Sequence, residues 1–167
     1  MFRSIIVSAG VALCFVAPAL ACTDISSKTV KLTACIDESW QAQTPSDALE
    51  FSYLTADQNF GLQIITETDV LPAQTLHDAL IANAVSAAGS KDNVKEIGER
   101  VENIDGKVFN ILEYQLTDGK TTLTYQNAFV SQPGLGSVQL VVMSTPDDAT
   151  AAALKLGLFA ATVRLGG

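Results

Sequence analysis

Two Asp-Gly pairs, Asp105-Gly106 and Asp118-Gly119, stand 13 residues apart and constrain this chain more than any other feature. Such dipeptides supply the positive-φ residues of two-residue hairpin turns, which join strands antiparallel. Each pair is followed by a Lys and then a strand-like run, KVFNILEYQL and KTTLTYQNAFV. Val108, Leu112, Tyr114 and Leu116 share one face of the first run, and Leu123, Tyr125 and Phe129 one face of the second. Residues 94–104 supply the strand before the first turn. SVQLVVMS, residues 137–144, supplies the strand after Gln132-Pro133-Gly134. The pattern predicts four consecutive antiparallel strands, a meander.

The flanking segments complete an α+β layout. Residues 28–36 alternate through Val30, Leu32, Ala34 and Ile36 and read as a first strand. A polar loop, DESWQAQTPS, follows and carries the single Trp. Two more short strands are expected over residues 49–54 and 60–68. Beyond Pro72, Leu76, Leu80, Ala84 and Ala87 recur at helical spacing, with a capping-box-like Thr75/Asp78 pair and Gly89 at the C-terminal end. A closing helix is predicted with Thr145 as cap, Pro146 at its first position and Asp147 and Asp148 in its first turn. Its stripe is Leu154, Leu158 and Ala161. The expected order is βββ-α-ββββ-α, one antiparallel β-sheet covered by two helices (an α/β/α sandwich), without a linker or repeat to divide it.

The N-terminus is made for export. Arg3 precedes an apolar run, Ile5 to Ala17, that falls short of the roughly 20 residues a transmembrane helix needs. Pro18 ends it, and Ala19-Leu20-Ala21 places small residues where signal peptidase cuts. Residues 1–21 therefore read as a signal peptide cleaved between Ala21 and Cys22. Residues 22–167 form one domain of 146 residues, without a transmembrane segment, located in the periplasm or secreted.

With Arg3 removed, nine basic residues face 18 acidic ones, a net charge of −9. That balance argues against nucleic acid and anionic membrane as partners. Cys14 leaves with the signal, so Cys22 and Cys35 remain, and an even pair in an exported chain reads as a disulfide. Such a bridge closes a loop of about 14 residues and contributes roughly 3 kcal/mol on the chain-entropy model. The competing fate of Cys22 is acylation as the first residue of an envelope lipoprotein. The usual lipoprotein order is reversed here, with Ala19 at −3 and Leu20 at −2.

Candidate catalytic and metal-ligating residues do not converge. The sole His, His77, neighbours Asp78, but adjacent helical positions diverge by about 100°, which sets the two apart. Asp37, Glu38 and Asp47 lack the spacing of a calcium loop. Ser39 and Ser137 have neither a nucleophile elbow nor a base. Gly134-Leu135-Gly136 leads into a strand rather than opening a phosphate-binding helix. Thr122, Thr124, Gln126 and Gln115 form a polar patch that a covering helix or a docking partner would occupy, covering being the simpler reading. No catalytic, cofactor or metal residue is assigned.

The layout resembles the PsbP/DcrB-like family of exported α/β/α-sandwich proteins over residues 28–165. The resemblance is carried by the early strand leading to Trp40 and Pro45, VLPAQTLHDAL, ENIDGKVFNILEY, TLTYQNAFV, VQLVVMS and the closing helix. It implies a non-enzymatic accessory role in photosystem assembly, phage adsorption or partner binding, through an unidentified envelope protein. It supplies no shared catalytic set. The alternatives are an enzyme or metal-dependent protein with a scattered acidic site, and a lipoprotein anchored through Cys22.

Overall fold

A computed structural model describes residues 22–166. Residues 1–21, which carry the expected signal and the Ala21 side of its cleavage junction, lie outside the described residues.

The predicted meander is present. Strands β6 (Val94–Ile104), β7 (Lys107–Asp118), β8 (Thr121–Gln132) and β9 (Gly136–Ser144) pair antiparallel in succession. The two Asp-Gly signals are used differently. Ile104 pairs with Lys107, so Asp105 (φ 50°) and Gly106 (φ 79°) are the two central turn residues. Positive φ at both is what a type I′ connection requires. In the second turn Asp118 pairs with Thr121, leaving Gly119 (φ 59°) and Lys120 at the centre, the Gly-first pattern of a II′ connection.

The meander is part of a seven-stranded sheet. Strands β3 (Trp40–Ala42), β4 (Phe51–Thr55) and β5 (Gly61–Glu67) continue it, in the order β3-β4-β5-β9-β8-β7-β6. Helix α1 (Ala73–Ala88) carries the chain from β5 to the far edge β6, and the meander then returns to pair β9 with β5. Helix α2 (Ala149–Thr162) follows.

The expectation of a single sheet is corrected. A second, three-stranded sheet has the order β1-β2-β10, built from β1 (Cys22–Ser26), β2 (Leu32–Asp37) and β10 (Arg164–Leu165). The run 28–36 is not one strand, because the chain turns back before Leu32. The Ser27 hydroxyl accepts from the amides of Thr29 and Val30, each at 3.0 Å, and Ser27 N–H donates to Leu32 O at 2.9 Å. β1 is mostly exposed and β10 spans two residues, so neither has a hydrophobic period to betray it. The polar loop around Trp40 is likewise corrected: Trp40 opens β3, pairs with Thr55 and is buried.

Each face of the large sheet carries its own core. On one, Leu76, Leu80 and Ala84 of α1 pack with Leu112, Tyr114 and Phe129. On the other, Ala152, Leu156, Phe159 and Ala160 of α2 join Ala34 and Ile36 of β2 above Phe109, Ile111, Leu140 and Val142.

The helix details depart from expectation in three places. α1 begins directly after Pro72, without a side-chain cap, so Thr75 already lies inside it. Asp78 instead accepts from Gln74 Nε2 at 2.8 Å. Gly89 does close α1 in the left-handed conformation, φ 70°. Residues Pro146–Asp148 form a separate 3₁₀ turn, with Thr145 Oγ1 donating to Asp148 Oδ2 at 2.8 Å, so Asp147 and Asp148 precede α2. Leu154 and Leu158 are exposed at 66% and 64%, and the buried stripe is Ala152, Leu156, Phe159 and Ala160. α2 is apolar nearly all round, so its period could not choose a face; small Ala152 and Ala160 let its backbone approach the sheet.

Candidate functional site

Strand alternation determines which side chains meet beneath α1. Tyr114 pairs with Tyr125, Leu112 with Asn127, Asn127 with Val141, and Val141 with Gln63. These residues share one face of the sheet, and α1 covers only part of it. A cleft of about 320 Å³ remains, floored by Gln63, Asn127, Gln139 and Val141 and walled by Leu80 and Ala84 of α1. Tyr114 and Tyr125 close one side as a cross-strand stack, ring centroids 5.0 Å apart and planes 3° from parallel.

The polar chemistry of the cleft is nearly all carboxamide. Asn127, 1% exposed, donates from Nδ2 to Gln139 Oε1 at 3.4 Å. Its Oδ1 is buried without a hydrogen-bond partner. A buried acceptor left unpaired costs about 1–3 kcal/mol. Among the described residues, Glu67 is the one charged side chain lining the cleft, and it is exposed. Burial, reinforced by the neighbouring Tyr125, pushes the Tyr114 hydroxyl well above its ordinary 10. Burial raises Tyr125 as well. Both rings therefore stay neutral, offering hydroxyls rather than phenolates. The arrangement suits hydrogen-bonded recognition.

The cleft was legible in part. Reading Tyr125 and Phe129 onto one strand face necessarily places Asn127 between them. The missed signal was a carboxamide interrupting an apolar face.

Residues singled out in the sequence are dispersed elsewhere. Cys22 and Cys35 are joined by a disulfide between β1 and β2, their Cα atoms 5.6 Å apart. They and Asp24 form the only three-residue group of potential metal ligands among the described residues, and the bridge consumes both sulfurs. His77 and Asp78 do meet, contrary to the divergence expected of adjacent positions. His77 Nδ1 lies 3.2 Å from Asp78 Oδ1, and Nε2 lies 3.4 Å from Glu96 Oε2 on β6. Both ring nitrogens thus face carboxylates, which ties α1 to the edge strand.

Asp37 accepts from the Ser39 amide at 2.9 Å and from its hydroxyl, as a local turn. Asp37, Glu38 and Asp47 are not among the clustered groups. The Ser137 hydroxyl lies 2.7 Å from Asp69 O and 3.0 Å from Ser131 Oγ, and Ser131 Oγ accepts from Leu71 N–H at 2.9 Å. These contacts fasten the β5–α1 connection to the β8–β9 turn. In the patch of Thr122, Thr124, Gln126 and Gln115, Thr124 and Gln126 are buried on the α2 face while Thr122 and Gln115 are half-buried, so the patch is covered in part.

No protein-family model and no curated protein sequence matches this chain. Its fold is nevertheless shared. The solution structure of cyanobacterial PsbP (CyanoP) from Synechocystis sp. PCC 6803 superposes with a TM-score of 0.66 at 11% identity, covering 93% of this chain and 98% of that one. LpqN of Mycobacterium tuberculosis, described as involved in cell envelope biogenesis, gives 0.54 at 13% identity over 86% and 89%. A Bacteroides thetaiotaomicron protein gives 0.54 at 9% identity over 81% of this chain and 45% of that one. The chain has a PsbP-like fold, in agreement with the resemblance drawn from its sequence. At these identities the likeness concerns fold.

Proposed function

We propose that this protein is an exported, non-enzymatic accessory protein of the cell envelope that works by binding a partner protein. On this reading residues 1–21 are removed between Ala21 and Cys22, and residues 22–167 act as one domain in the periplasm or outside the cell. The Cys22–Cys35 disulfide carries the reading. Disulfides persist in oxidising compartments, and this one employs the first residue of the expected mature chain. The same sulfur would have to be free for acylation, so the bridge favours an unlipidated N-terminus. The PsbP-like fold supports an accessory role, as does the envelope role named for LpqN.

Cell fractionation with intact-mass analysis tests the reading. The expected product is extracytoplasmic residues 22–167, lighter by two hydrogens than the reduced chain. An acyl-sized excess at Cys22, or a cytoplasmic chain retaining residues 1–21, would overturn it. In vivo crosslinking then tests the accessory role: a reproducible heterologous adduct is expected, and turnover of a substrate by the purified protein would contradict it.

A further inference from the structure

We infer that the cleft between α1 and the sheet is a small-molecule site for a compact amine or primary amide, whose N–H donates to Asn127 Oδ1. This goes beyond the partner-binding role and stands without it. Asn127 is 99% buried, lines the cleft, and leaves its acceptor unpaired. Its own amide group is turned away toward Gln139 Oε1. What Asn127 Oδ1 lacks is therefore a donor, and a ligand N–H supplies one.

The remaining lining narrows the ligand class. Val141, Leu80 and Ala84 offer an apolar surface for a hydrocarbon body. Gln63 and Asn83 supply neutral amides that pair with either a donor or an acceptor. No Lys, Arg or His lines the cleft among the described residues, and the charge present is the Glu67 carboxylate. An anion would find neutral donors but no cation, and would face the Glu67 carboxylate as like charge, whereas a neutral amide or a protonated amine would not be repelled. The volume, about 320 Å³, lies at the small end of ligand sites and favours a compact molecule.

The test uses three probes of one shape: benzamide, benzylamine and benzoate. The protein, purified after expression from its full reading frame, is titrated with each while amide resonances are followed by NMR. Benzamide and benzylamine are expected to bind with roughly millimolar Kd, as befits probes this small, and to shift Asn127, Gln139 and Val141. Benzoate should leave them unmoved. Asn127→Leu should weaken benzamide about tenfold or more. Ala87→Trp, at an exposed α1 position on the cleft, should block both binders without touching the core.

The inference is overturned if neither donor probe shifts the cleft resonances, if benzoate binds equally well, or if binding survives Ala87→Trp in a folded protein. A long-lived water contacting Asn127 with no response to either probe would also defeat it, since water would then satisfy the acceptor. Should Asn127→Leu fail to fold, Ala87→Trp decides alone.

Discussion

Thr162, the last residue of α2, accepts a hydrogen bond from the Cys35 amide at 3.2 Å, and its hydroxyl lies 3.1 Å from the Cys35 carbonyl. The residues are 127 apart in sequence. Arg164 of β10 pairs with Thr33, so Thr162 stands where β10 would oppose Cys35 if it ran two residues further. The side chain thus completes the strand edge with a hydroxyl. The end of α2, the central strand of the small sheet and the disulfide are held at one point.

That junction gives the disulfide a measurable weight. Replacing both Cys22 and Cys35 by Ala should lower unfolding free energy by up to about 3 kcal/mol on the loop-entropy model. β1 is exposed along most of its length and should become the first protease-sensitive segment. Denaturant unfolding and limited proteolysis, with and without reductant, read the two effects. An unchanged midpoint in both would contradict the assignment.

Glu50 ties the β1–β2 turn to β5. Its carboxylate accepts from Ser27 Oγ at 2.7 Å, Lys28 N–H at 2.5 Å and Thr66 Oγ1. Burial pushes its pKa up, but bonds from Thr66, Ser27 and the Lys28 and Thr29 amides outweigh that and hold it below the ordinary 4.5. A lowered folded pKa contributes stability above the unfolded value, lost as pH falls through the folded one. Glu50→Gln should cost about 1 kcal/mol at pH 7 after solvent screening. The difference from the parent should shrink below about pH 4.5. Parallel urea titrations at pH 7 and pH 3 would show it.

The orientation of α2 can be checked by substitution. Leu154→Gln and Leu158→Gln fall on exposed positions and should change stability by no more than about 0.5 kcal/mol each. Leu156→Ala, at 1% exposure, should cost about 3 kcal/mol. Thermal unfolding of the three variants distinguishes this orientation from the Leu154/Leu158/Ala161 stripe, for which the ranking reverses.

Gly136 opens β9 at φ 96°, and a Cβ there would lie 2.2 Å from the Glu67 carbonyl oxygen. Gly136→Ala therefore combines backbone strain with a clash against a neighbouring backbone, and should cost roughly 2–4 kcal/mol. Gly98, whose Cβ would meet nothing within 4 Å, is the control. Gly98→Ala should be close to neutral in the same unfolding assay.

The strongest features in the sequence were those whose cause is local. Asp105-Gly106 and Asp118-Gly119 specify hairpins because turn chemistry resides in adjacent residues. The period of two likewise assigned Tyr114 to one face of β7, and Tyr125 and Phe129 to one face of β8; the register Tyr114↔Tyr125 then put these on the same side of the sheet. β1 and β10 escaped notice because they lack a buried period and exist only as partners of β2. The candidate cleft was half visible, since Asn127 belongs by alternation with Tyr125. That its Oδ1 is unpaired depends on Gln139 and α1, which reach it through folding.

By itself, then, the chain determined the meander and the presence of two covering helices, both properties of neighbouring residues. Tertiary structure decided the second sheet, the face α2 buries and the gap left beside α1. An apolar helix fits a sheet in more than one rotation, and an exposed strand forms only where a partner edge waits. Which edge is free and which rotation packs are properties of the whole molecule.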